Sequence, residues 1–134
     1  MKSLKMTFFP VVIASLCLFF ESGCAQTTGP TEKVKPLFTI DLQDGFQQDL
    51  VTVLLDNQVV YDDTATTLIS GGAADRITPS VASGSHNIRV SMPGFEVQAD
   101  TTLNVQDTLA VGINFWRAQH KLSFTVYRFW PVYR

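Results

Sequence analysis

Hydrophobic and polar residues alternate along most of the chain after residue 36, which is the pattern of β-strands with one buried face. The clearest case is Leu50–Asp62, where an alternating apolar run ends at Leu55. Three turn-forming residues, Asp56 to Gln58, follow it, and a second apolar run, Val59–Tyr61, comes next. This stretch predicts a β-hairpin at the start of a sheet.

Five further runs place apolar side chains at every second position and predict strands. They are Phe38–Leu42, His86–Val90, Phe95–Val105, Leu109–Phe115 and Leu122–Val126. The run from Phe95 is long enough to form one strand, or two strands joined by a bulge near Asp100. Phe46 follows the turn residues Asp44 and Gly45, and we expect it to close the edge of the core.

The stretch from Asp62 to Ala74 predicts an irregular connection between two sheets, with a short strand at Thr66–Ile69 or at Ala73–Ile77. Seven or eight short strands, with turns between them and no helical pattern, predict an all-β domain. We therefore expect an antiparallel β-sandwich, immunoglobulin-like or of a related kind, over residues 37–134.

The first 23 residues have the pattern of an export signal. Lys2 and Lys5 precede a nearly uncharged apolar run that is too short for a confident transmembrane helix. The run ends in Glu21-Ser22-Gly23-Cys24, which resembles the lipobox of bacterial lipoproteins, although Glu21 replaces the usual branched apolar residue. The resemblance implies a lipid on Cys24 as the first residue of the mature chain. The alternative is ordinary signal cleavage after Ala25.

Residues 24–36 contain no periodic apolar pattern and predict a flexible tether between the lipidated Cys24 and the domain. Removal of residues 1–23 takes away two basic residues and one acidic residue, which leaves a net charge of −3. A mildly acidic domain lacks the basic patch that nucleic acid requires. Since the other cysteine, Cys17, lies in the signal, no internal disulfide is expected.

Several short motifs resemble those of the PEGA-type domain, a small β-sandwich of bacterial envelope proteins. They are V-T-V-L-L-D at Val51–Asp56, Thr78-Pro79, G-S-H-N-I-R-V at Gly84–Val90, and Pro93-Gly94-Phe95. The similarity covers residues 51–115, but the tetrapeptide that names the family is absent and the link after Asp62 is longer than in the family. The resemblance implies a periplasmic or surface binding or spacer module, and it supplies no catalytic residues.

The sequence offers no convincing catalytic or metal-binding set. His86 lies within a strand, where we expect a half-buried, hydrogen-bonded ring, and His120 lies in a turn. Two distant histidines do not form a zinc site. The loop carboxylates at Asp41, Asp44, Asp49 and Asp62-Asp63 leave a structural calcium ion as an alternative, although their spacing matches no dedicated calcium loop. We predict no catalytic residue, no cofactor and no metal.

Aromatic and arginine residues concentrate near the C-terminus and are the candidate binding residues. Exposed rings beside arginines suit protein hot spots or sugar faces. Alternatively, the rings close the bottom of the sandwich. The parity of the last strand places Tyr127 and Phe129 outward. The candidates are Trp116, Arg117, Tyr127, Arg128, Phe129 and Trp130.

These patterns predict a non-enzymatic protein of the bacterial cell envelope, anchored in the membrane by the Cys24 lipid and facing the periplasm or the exterior. We expect its sandwich to bind another envelope or surface protein. The alternative is a carbohydrate-binding module that attaches to polysaccharide through the same rings, and a small hydrolase is a third possibility. The weakly charged last strand, Leu122–Val126, also favours pairing with a further strand.

Overall fold

A computed structural model of the protein describes residues 35–69 and 71–129. The signal residues, Cys24, most of the tether and Trp130 lie outside these ranges. The described strands are β1 (Phe38–Leu42), β2 (Gln47–Leu55), β3 (Gln58–Thr66), β4 (Asp75–Ile77), β5 (Gly84–Met92), β6 (Val97–Val105), β7 (Leu109–Trp116) and β8 (Lys121–Tyr127). Single 3₁₀ turns, Pro93–Phe95 and Arg117–Gln119, precede β6 and β8. No helix in this part of the chain has the length and hydropathy needed to cross a membrane.

The eight strands form two sheets of four strands each. The first sheet has the order β4-β1-β7-β8, and the second sheet has the order β3-β2-β5-β6. This arrangement confirms an all-β domain built from two sheets. The prediction of purely antiparallel pairing is wrong, because β1 and β7 run parallel, with Phe38 opposite Leu109 and Leu42 opposite Ile113. The long crossover that a parallel pair requires is supplied by the second sheet and β4, which lie between β1 and β7 in sequence.

The predicted hairpin is confirmed as β2 and β3. Asp56 and Asn57 form its turn with φ values of 50° and 65°, which is the left-handed backbone of a tight two-residue hairpin turn. Gln58 already belongs to β3 instead of the turn. The hairpin is also longer than predicted, because Thr66 at the end of β3 still pairs with Gln47.

The connection that follows is irregular, as predicted, but it begins at Thr67. The alternative of a short strand within Ala73–Ile77 is confirmed in part, because Asp75–Ile77 forms β4 and pairs with the last three residues of β1. Thr66–Ile69 does not form a separate strand. This short β4 gives the first sheet its fourth strand.

The core lies between the two sheets, where most of the predicted inward positions of β1, β2, β5 and β7 are buried and those of β6 are largely half-buried. Phe46 is also buried, as expected, and its ring lies 6.3 Å from that of Phe115. The largest fully buried side chains on the strands are Phe38, Ile40, Leu42, Val51, Val53, Ile88, Val90, Met92, Val105, Val111 and Ile113.

The last four strands follow their predicted parity. β6 is one continuous strand, since all nine of its residues pair with β5 without a bulge. In β8 the inward positions become more exposed along the strand: Leu122 is buried, Phe124 is half-buried and Val126 is 48% exposed. The reason is that β8 is the last strand of its sheet, so one side of these residues has no neighbouring strand among the described residues.

Both faces of β1 are buried, although the alternation predicted only one. The strand lies between β4 and β7, and its outward-facing Thr39 and Asp41 are buried as well. Arg76 on β4 holds the Asp41 carboxylate in a two-point contact, with Nε to Oδ1 at 2.7 Å and Nη2 to Oδ2 at 3.0 Å. This bidentate pairing satisfies a charge that would otherwise be costly to bury.

Candidate binding groove on the first sheet

Polar side chains from three separate parts of the chain meet on the outer face of the first sheet. Gln43 follows β1, Asn114 lies on β7, and Tyr127 lies at the end of β8. Gly112 on β7 makes this meeting possible, because a Cβ atom there would overlap the side-chain amide of Gln43. The glycine therefore lets Gln43 lie flat against the sheet.

The meeting point is a hydrogen-bonded network centred on Gln43. The Asn114 amide donates to Gln43 Oε1 at 3.2 Å, and the Tyr127 hydroxyl lies 3.4 Å from both the oxygen and the nitrogen of the Gln43 amide. Asn114 Oδ1 in turn accepts the backbone N–H of Asp44 at 3.2 Å. These contacts hold the buried Gln43 amide, the half-buried Asn114 amide and the half-buried Tyr127 hydroxyl in fixed positions.

Trp116 stands at the other end of the same face. It is the last residue of β7 and is 54% exposed. Its indole Nε1 donates to Ser123 Oγ on β8 at 2.9 Å, which fixes the orientation of the ring. A large aromatic surface thus faces solvent with its polar atom already satisfied.

Together these side chains line a groove of about 660 Å³, which we call the outer groove. The exposed tryptophan lies at one end, and the amide and hydroxyl groups lie along its floor. Its lining residues are Gln43, Asp44, Gly45, Asn114, Phe115, Trp116, Arg117, Ala118, Gln119 and Tyr127.

The guanidinium of Arg117 is engaged within the domain instead of reaching toward solvent. It forms an ion pair with Asp49, and it lies 4.8 Å from the ring centre of Phe95 and 5.7 Å from that of Phe115. Its Nη1 also donates to the Gly45 carbonyl at 3.3 Å. These contacts link the two sheets, so Arg117 contributes to the wall of the groove while its charge is already paired.

Three further candidates, which the structure describes, start away from Trp116 along the chain or the sheet. Tyr127 pairs with Ala110 at the opposite end of the β7–β8 hairpin and reaches the outer groove only through its long side chain. Arg128 lines a second cavity of about 460 Å³ beside Leu103 and Val126, and Phe129 is 74% exposed. The six candidates therefore do not form one cluster: Trp116, Arg117 and Tyr127 line the outer groove, whereas Arg128 does not.

Both histidines have contacts of a structural kind. His86 is hydrogen-bonded as expected, with Nδ1 at 2.6 Å from Asp56 Oδ2 and Nε2 at 2.8 Å from the Ala82 carbonyl. The hydrogen bond with Asp56 raises the pKa of His86, and the same bond lowers the pKa of Asp56. His120 is exposed and presents its ring edge-on to Phe95 at 5.3 Å.

The aspartates that left calcium as an alternative have separate partners. Asp41 contacts Arg76, Asp49 contacts Arg117, and Asp62 accepts the Thr52 hydroxyl at 2.8 Å. Within residues 35–69 and 71–129, no three carboxylate, histidine or cysteine side chains come together as a group suited to hold a metal ion.

Gln43 is the residue of the outer groove that the sequence analysis missed. It stands between a strand and the turn Asp44-Gly45, where a polar residue carries no distinctive signal. Asn114 lies on the outward face of β7, at the parity opposite to the predicted inward positions of that run. Thr102, Asn104 and Gln106 likewise have the outward parity of their run, and they are exposed on or just after β6 of the second sheet.

No protein-family model matches the chain, and no curated protein matches it. The groove itself presents the exposed Trp116 ring, with the half-buried Asn114 amide and Tyr127 hydroxyl beside it. Groups of this kind bind ligands by stacking and hydrogen bonding.

Proposed function

We propose that the protein is a non-enzymatic component of the bacterial cell envelope that binds another envelope or surface protein through the outer groove. In this proposal the Cys24 lipid anchors the chain in the membrane, and the two-sheet domain is a PEGA-like module. The observation that carries the proposal is the outer groove, in which the exposed Trp116 adjoins the fixed amides of Gln43 and Asn114.

The chemistry of the groove supports a binding role. Binding hot spots are enriched in tryptophan, tyrosine and arginine, because large rigid side chains bury much surface and lose little entropy. Trp116 is already fixed by Ser123, so binding would cost little further ordering of its ring. The half-buried Asn114 amide and Tyr127 hydroxyl beside it are the polar groups that would orient a partner.

Crosslinking in intact cells of the native organism, followed by purification and mass spectrometry, tests the proposal. We expect the full chain to capture a specific protein, and Trp116→Ala to lose most of it. Phe129→Ala is the matched control, because Phe129 is an even more exposed ring that does not line the groove. Cys24→Ala should lose the partner through loss of the anchor. Equal capture by wild type and Trp116→Ala would rule out the groove as the binding site.

A second candidate function is polysaccharide binding, and the combination of a fixed ring with neighbouring amides favours it. Sugar faces stack on aromatic rings, and sugar hydroxyls pair with amides. The test is a fluorescence titration with cell-wall or capsular polysaccharide, using a full chain that carries Trp130→Phe so that Trp116 is the only tryptophan. A saturable change in Trp116 emission without any protein partner would favour this candidate, and unchanged emission would exclude it.

A further inference from the structure

The two open sides of the sandwich differ in how well their edge strands are protected. On one side lie β3 and β4. The pairing of β3 with β2 shifts register twice, β3 carries the acidic pair Asp62-Asp63, and β4 has only three residues. Bulges, charges and shortness are devices that prevent an edge from pairing with another strand.

Among the described residues, the other side, formed by β6 and β8, is less protected. β6 pairs with β5 over nine residues without a bulge and carries one charge, Asp100. β8 has seven residues and carries one charge, Lys121. Apolar residues that face the core remain accessible from this side, because Val126 is 48% exposed and Leu103 is only half-buried. Long, flat, weakly charged edges with accessible apolar residues are prone to strand pairing.

The two edges run in the same direction and are aligned with each other across the sandwich. Phe95 and His120, which stand just before β6 and β8, have ring centres 5.3 Å apart. Toward the other end, Leu103 and Val126 line the same cavity. The middle residues of the two strands, Thr101 and Phe124, are therefore level with each other on this side of the domain.

We propose that this side is an interface with a second copy of the chain, which pairs β6 with β6 and β8 with β8 about one two-fold axis through Thr101 and Phe124. A two-fold axis perpendicular to a sheet reverses strand direction, so both new pairs are antiparallel. A single axis can relate both strand pairs because the midpoints of β6 and β8, Thr101 and Phe124, are level with each other. The pairing satisfies the open backbone groups of both edges and joins the sheets into two of eight strands each.

The sequence of β6 is complementary to itself in this register. Thr101 pairs with Thr101 of the second copy, and Ala99 pairs with Leu103 of the second copy. On the outer face Asp100 lies opposite Thr102 of the second copy, so the carboxylates do not face each other. Like charges directly opposite each other would destabilise such a pair.

The sequence of β8 is complementary in the same way. Phe124 pairs with its own copy, and Leu122 pairs with Val126 of the second copy. This contact covers Val126, which is the most exposed of the inward-facing residues of β8. Burial of such surface supplies the hydrophobic part of the association.

Charged substitutions at Thr102 test the proposed register of the β6–β6 pair directly. The full chain is studied by sedimentation velocity in density-matched detergent, and we expect the wild type to form a dimer. Thr102→Asp places two pairs of carboxylates opposite each other and should raise the dimer dissociation constant about tenfold or more. The matched variant Thr102→Lys places an ammonium opposite Asp100 of the second copy and should keep or tighten the dimer. A monomeric wild type, or the same effect from both variants, would overturn the proposal.

A crosslink at the axis provides a second measurement. Opposite residues of an antiparallel pair have Cβ atoms about 5 Å apart, so Thr101→Cys should give a covalent dimer under mild oxidation. Thr64→Cys on β3 and the wild-type chain are the controls, and both should stay uncrosslinked. A crosslink from Thr101→Cys to a different protein, or no dimer beyond the controls, would contradict the second copy as occupant. Trp116→Ala should leave the dimer intact, which separates this inference from the proposed function.

Discussion

The contact between His86 and Asp56 should make the stability of the domain depend on pH in a defined window. Asp56 lies in the β2–β3 turn, and its Oδ1 also accepts the Asn87 backbone N–H at 2.9 Å. Both ring nitrogens of His86 face acceptors, so the protonated ring, which donates from both, fits the site best. The informative change is Asp56→Asn, because asparagine suits the same turn and retains an acceptor but removes the charge.

The direction of the effect follows from the two pKa shifts. The pKa of His86 is raised above its ordinary 6.5, so its stabilising contribution is complete below that pH and is lost as pH rises through the folded-state value. The pKa of Asp56 is lowered below 3.8, so its contribution is present above that pH and is lost under stronger acid. The pair therefore stabilises the fold most between pH 3.8 and pH 6.5.

The size of the effect on the free energy of unfolding is limited by the partial exposure of the His86–Asp56 pair to solvent. A hydrogen bond between charged groups contributes about 1.5–3 kcal/mol. The His86 side chain is only 13% exposed, but that of Asp56 is 50% exposed, so water screens the pair. We therefore expect Asp56→Asn to lower the free energy of unfolding by about 1 kcal/mol at pH 6 and by less than half of that at pH 9.

Urea denaturation of the wild type and of Asp56→Asn between pH 5 and pH 9 measures this effect. The difference between the two proteins is the relevant quantity, because the other titrating groups contribute equally to both. It should shrink as pH rises above 6.5. A difference that stays constant, or that grows with pH, would refute the role given to the His86–Asp56 pair.

Three further substitutions have outcomes that follow from single contacts. Gly45→Ala should destabilise the domain by more than about 2 kcal/mol in thermal unfolding, because φ is +94° and a Cβ would overlap a carbonyl oxygen of β7; an unchanged midpoint would contradict the geometry of this turn. Arg117→Ala should cost about 2–3 kcal/mol, since it leaves the Asp49 carboxylate, only 10% exposed, without its ion pair; adding Asp49→Asn should recover part of the loss, and no recovery would contradict the pairing. Gly112→Ala should displace Gln43 and reduce partner capture in cells while it changes the thermal midpoint by only a few degrees; full capture would show that the floor of the groove is not used.

Local sequence patterns predicted most of the strands and which face of each is directed to the core. Alternation identifies which side chains of a strand point to one face. It was right for β2, β5 and β7, whose inward positions fill the core, and for β6, whose inward positions are mostly half-buried against it. The β2–β3 turn was also predictable, because asparagine and aspartate tolerate the positive φ values that such a turn requires. These features depend on residues close together in the chain.

The identity of neighbouring strands and the contacts between distant polar groups depend on the tertiary structure. Alternation does not report the direction or identity of a neighbouring strand, so the parallel β1–β7 pair was missed. The groove network joins Gln43 to Asn114 and Tyr127, which lie 71 and 84 positions away. Arg117 likewise contacts Asp49 on β2 and Phe95 in the turn before β6, so its guanidinium is paired within the domain. Such contacts follow from packing two sheets around one core, and no local pattern of residues encodes them.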